Sequence, residues 1–116
     1  MKRALVIPAE GMPTTAMVED NATYDFIKQG VGGWFDCVRS KTFHGYVHDT
    51  GLIDGLPFNP IASIVFGQVI CGDVVLFGSL NAKGEYDGEE HAIDTSVIEG
   101  VKRQWFLFRT NMEAKV

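Results

Sequence analysis

Between residues 69 and 77 the chain reads VICGDVVLF, and this stretch limits the fold more than any other. Four adjacent apolar residues, Val74 to Phe77, leave an extended segment with no polar face, so a strand there has to be covered on both sides. The Gly72-Asp73 pair ahead of it carries turn chemistry. The pattern predicts an inner strand over residues 69–77, entered through a tight turn, at the centre of a sheet.

The rest of the chain supplies partners for it. Arg3 to Ile7 is a β-branched, apolar run closed by Pro8 and Gly11, and Thr14 to Val18 reads as a returning strand. Asn21 or Thr23 offers an N-cap for a helix in which Tyr24, Ile27 and Val31 recur at helical spacing, and Gly30, Gly32 and Gly33 stop it. Trp34 to Val38 and Thr42 to His48 alternate as an antiparallel pair. Asn59 and Pro60 open a short helix to Phe66 with Gly67 as its stop. The polar run NAKGEYDGEE, residues 81–90, reads as an exposed loop. Ser96 and Glu99 have capping-box spacing, and Val97, Val101, Trp105 and Phe108 then share one helical face, although WFLF would also suit a strand. The expected fold is α+β: a small, mostly antiparallel sheet with two or three short covering helices, in a single domain over residues 1–116.

Charge and composition narrow the function classes. With 116 residues, 46% hydrophobic and 22% charged, the chain has ordinary globular usage. A net charge of -5 lacks the clustered cations of general nucleic-acid binding. No run approaches a membrane span, and the apolar stretch of MKRALVIPAEG ends at Pro8, too early for a signal peptide. A cytoplasmic protein with no membrane partner is expected. Cys37 and Cys71 lack CxxC spacing and read as two buried thiols.

Several residues could carry chemistry, each with a structural alternative. His44 and His48 share one strand face with Asp49 next in sequence, and a third metal ligand would have to come from a distant segment such as Glu90 or His91. Exposed histidines are the commoner outcome, and no metal and no cofactor is expected. Gly32 and Gly33 could let backbone N–H groups approach an anion, yet they follow a helix, where a C-cap is the simpler reading. Cys37 sits in an apolar strand, where a thiol is normally inert, so no catalytic residue is assigned. Asn59 is either a helix cap or a polar contact for a small ligand; as a cap, its replacement by Ala would cost about 1 kcal/mol and by Asp much less. Lys102, Arg103, Trp105 and Arg109 mix cations with aromatics, as interfaces and single-strand binders do.

Three segments together, ALVIPAEG, VGGWFDCV and GYVHDTGLIDGLPFNPIASIVFGQVICGDVVLFG, resemble domain-of-unknown-function family 3846, small proteins of actinobacteria, their phages and plasmids. The likeness spans most of residues 3–78 and is most specific at Val31-Gly32-Gly33, at Leu56-Pro57-x-Asn59 and at the Gly72-Asp73 turn. Where members commonly have an Asn-Glu-x-Gly turn, this chain has His48-Asp49-Thr50-Gly51. The resemblance implies a phage or plasmid origin and no activity. The expected function is a non-enzymatic accessory protein that binds a host protein or itself, as a homo-oligomer whose contact uses Trp105, Phe106 and Phe108. The alternative is a binder of nucleotide-like ligands through Gly32, Gly33 and Asn59; a metal-dependent hydrolase built on His44, His48 and His91 ranks third.

Overall fold

A computed structural model describes residues 1–114. Six strands form one antiparallel sheet: β1 (Lys2–Ile7), β2 (Thr14–Val18), β3 (Phe35–Arg39), β4 (Phe43–His48), β5 (Val74–Leu80) and β6 (Tyr86–His91). Their order is β2-β1-β5-β4-β3, with β6 paired to the C-terminal end of β5. Helices α1 (Thr23–Val31), α2 (Pro60–Phe66) and α3 (Thr95–Ala114) cover it, as the α+β expectation requires.

The apolar run does lie at the centre. Val74, Val75, Leu76 and Phe77 are fully buried, and their alternation sends successive side chains to opposite layers. Leu5, Ile7, Val74 and Leu76 join α2 and α3, while Ala4, Val75 and Phe77 join Ile27 and Val31 of α1. The strand is shorter at its start than residues 69–77, however. Val69 is 66% exposed, and Cys71 makes only an isolated bridge to Phe58. Asn59 and Ser63 claim the backbone there: the Asn59 N–H donates to the Ile70 carbonyl and the Ile70 N–H to Ser63 Oγ.

Two further boundaries differ from expectation. Residues 81–90 are not all loop: after a turn closed by Asn81, Tyr86–His91 returns as an edge strand. Its Asp87 and Glu89 are exposed, and Gly88 at φ 79° kinks it, which hides the period-two signal from a hydrophobicity reading. At α3, Ser96 makes no capping box; its hydroxyl donates to the Asp94 carboxylate, and the helix begins at Thr95 and runs unbroken through WFLF.

Helix α1 also starts differently. Asn21 falls in a short 3-10 turn, the N-cap position is Ala22 without a side-chain bond, and Thr23 Oγ1 donates to the Asp20 carbonyl. Gly30 does not stop the helix but lies inside it, where a Cβ would come within 2.6 Å of Val75 Cγ2; the glycine lets helix and sheet touch. Gly32, at φ 84°, is the left-handed cap that ends it.

Candidate functional site

Asn59 is fully buried, and both polar atoms of its side chain are hydrogen-bonded within the protein. Its Oδ1 accepts the Ala62 N–H at 3.0 Å, capping α2, while its Nδ2 donates to the carbonyls of Ile7 and Gly72, each at 2.9 Å. The side chain thus pins α2 to the end of β1 and to the turn before β5. This overturns the expectation that Asp would substitute well, because a carboxylate would set its oxygen against two carbonyls. Gly32 and Gly33 are likewise engaged: both N–H groups donate to the Lys28 carbonyl, at 3.0 and 3.1 Å.

The three histidines do not converge. His48 lies beside Gly33 and 3.7 Å from the Asp49 carboxylate. His91 Nε2 reaches both Asp87 oxygens, at 2.8 and 2.9 Å. On that strand Asp87, Glu89 and His91 bring their ligand atoms within 4.8 Å of one another, the group among the described residues with metal-ligand spacing.

His44 enters a different arrangement. It is 4% exposed, on the α1 side of the sheet, and its Nε2 meets the Glu90 carboxylate. The other Glu90 oxygen accepts the Tyr46 hydroxyl. Since an ionised carboxylate only accepts, His44 carries its proton on Nε2, which leaves its buried Nδ1 without a partner. Burial alone would raise the Glu90 pKa, but the bonds from His44 and Tyr46 and the nearby Lys2 ammonium outweigh it and hold the carboxyl below its ordinary value. Tyr46 is pushed well above the usual phenol range by burial and then by its bond to Glu90. Alongside, Arg39 Nη1 donates to the Tyr86 hydroxyl at 2.6 Å. These contacts fasten the polar edge strand β6 down across the sheet face.

Cys37 corrects the picture of two buried thiols, for it is exposed on the edge strand β3 and Cys71 is half-buried. The Cys37 thiol itself lies against Tyr46, and burial, assisted by Glu90, pushes it above its ordinary value despite Arg39. A thiol so shifted is a poor nucleophile at neutral pH.

A second region has the opposite character. After β4 the chain makes tight turns through Thr50–Gly55, closed by the Asp54 N–H to Thr50 carbonyl bond, and these present Leu52 and Ile53 to solvent, the latter 85% exposed. A cleft of about 780 Å³ runs between this turn, the edge of β3 and residues 68–71. An apolar groove along the outer side of α2, lined by Phe58, Ile64 and Val69, shares Gln68 and Val69 with that cleft. The two adjoin at one end of the molecule, a cleft of mixed lining, where Leu52, Ile53 and Val69 sit beside Asp36, Arg39 and Asp49, and a shallow apolar groove. Of the expected contact residues in α3, Trp105 and Phe108 are half-buried against the core, and Phe106 points outward with 61% exposure.

The model of a domain of unknown function, DUF3846, matches residues 1–101. The chain belongs to the DUF3846 family. No curated protein and no solved structure matches it. The DUF3846 match covers the whole sheet, α1, α2 and the first turns of α3, and so reaches beyond the residues that carry the visible motifs. Those motifs take structural places in this DUF3846 chain: Val31-Gly32-Gly33 ends α1, and the Leu56-Pro57-x-Asn59 segment carries the α2 pin. Sequence reasoning missed Tyr46 as the partner of Glu90, and it missed the apolar end. The signal for the latter was Leu52-Ile53 held between Gly51 and Gly55, a pair too short to be a strand.

Proposed function

We propose that this chain is a non-enzymatic accessory protein of a phage or mobile element, working in the host cytoplasm by protein binding, with the apolar end as its binding surface. The observation that carries this reading is the gathering of Leu52, Ile53, Phe58, Ile64 and Val69, all at least half exposed, along a cleft and the shallow groove that adjoins it. Contiguous apolar surface of this kind is costly to leave in water and marks association sites. The phage or plasmid origin rests on what the family resemblance implies. A nucleotide-like ligand is less well supported, because Asn59 and the N–H groups of Gly32 and Gly33 are bonded within the protein.

The test is capture from host lysate with immobilised full-length protein, the retained protein then being purified and titrated. Wild type is expected to retain a host protein that Ile64→Asp and Val69→Asp lose, with a Glu89→Gln control behaving as wild type. Equal retention by all four proteins would overturn the assignment of this surface.

A further inference from the structure

Two surfaces of the chain match each other in polarity and in charge. The apolar end presents Leu52, Ile53 and Val69, and the charged groups beside it are mostly acidic: Asp36 and Asp49 line the cleft and Asp54 follows Ile53, against Arg39, whose guanidinium is bonded to the Tyr86 hydroxyl. On α3 the half that faces away from the core exposes Phe106 and Leu107. Lys102 and Arg103, three to five residues before them, stand on the adjoining turn of the same outward face, both exposed. Because Trp105 and Phe108 turn inward to pack on the core, this outward face is rigidly displayed.

We propose that α3 of a second copy lays its Lys102, Arg103, Phe106 and Leu107 face into the acid-rimmed apolar end, so that the chain associates with itself. The proposal rests on reading that end as a binding surface and names its occupant. An apolar pair with basic residues one turn away meets Leu52, Ile53 and Val69, beside which Asp36, Asp49 and Asp54 outnumber the single guanidinium of Arg39. The mode is a helix in a groove, with anchors at i, i+3 and i+4 spacing. The rim charges set orientation and discriminate against acidic partners.

Analytical ultracentrifugation of the full chain over a micromolar concentration series tests this. Wild type is expected to associate, and Phe106→Asp and Ile53→Asp each to weaken association at least tenfold, with melting unchanged because both side chains face solvent. An equimolar mixture of the two variants regains association, since one copy brings an intact helix and the other an intact apolar end. Should either variant melt low, the charge pair replaces it: Arg103→Glu and Asp54→Lys each weaken association, and both together in one chain restore it. A wild type that stays monomeric, or a mixture and a double charge swap no stronger than the single variants, would overturn the proposal. A monomer whose Ile64→Asp variant still loses a captured host protein would leave the binding reading standing while self-association fell. Failure of both would remove both.

Discussion

The covered side of the sheet and the open end of the molecule treat polarity in opposite ways. Under β6 and beside α2 the chain buries Glu90, His44, Tyr46 and Asn59, and bonds nearly every polar atom they carry. On the turn at Thr50–Gly55, on the outer side of α2 and just after it, the chain leaves Leu52, Ile53, Ile64 and Val69 in water. Buried polar groups that are satisfied specify one arrangement of the elements, and removing one partner costs more than the bond is worth. Exposed apolar groups contribute little to the fold that displays them. If the second region is the binding surface proposed above, stability belongs to the first and recognition to the second, and substitutions in each should separate cleanly.

The largest effect should come from Asn59. Asn59→Asp is expected to destabilise by about 3 kcal/mol, from a lost donor pair and a buried charge facing two carbonyls, and Asn59→Ala by about 2 kcal/mol; chemical denaturation measures both. If Asp is tolerated as an ordinary helix cap would allow, the pin to Ile7 and Gly72 is not what holds α2.

Next comes Glu90. Glu90→Ala leaves the Tyr46 hydroxyl and His44 Nε2 without their acceptor and should cost about 2 kcal/mol at neutral pH. The pH dependence has a fixed sign. Because the folded-state pKa lies below the ordinary value of 4.5, the carboxylate's stabilisation is complete above that value and is lost as pH falls through the lower, folded-state value. Denaturation midpoints followed from neutral to acid pH should therefore fall more steeply for wild type than for Glu90→Gln. Parallel curves would show that Glu90 does not fasten β6.

How far the sequence reveals these regions follows from the range of the interactions involved. Val74 to Phe77, the α2 cap and the face of α3 were readable because each rests on near neighbours: a continuous apolar run, an Asn-Pro pair, residues at helical spacing. Strand β6 was not, since its pairing depends on β5 and its charged, glycine-kinked residues look like loop. His44, Tyr46 and Glu90 are separated by 44 or more residues at the longer links, and no local pattern announces that they meet. The same holds for Ile53 and Val69, which adjoin one cleft only because Asn59 and Ser63 tie residue 70 to the start of α2.

The smallest effect on stability belongs to the apolar end. Ile53→Ser and Ile64→Ser should shift stability by no more than about 0.5 kcal/mol, the range of surface substitutions, measured by thermal melting. A drop of several times that would place these side chains in the core and erase the contrast.

The most direct single measurement is covalent footprinting of the full-length protein at low and high concentration, read residue by residue. The account predicts that labelling of Leu52, Ile53 and Val69 falls at high concentration together with that of Phe106 and Leu107, while exposed Met17, on β2 at the opposite edge of the sheet from β3, labels equally at the two concentrations. Unchanged labelling at the apolar end and on α3 would contradict it.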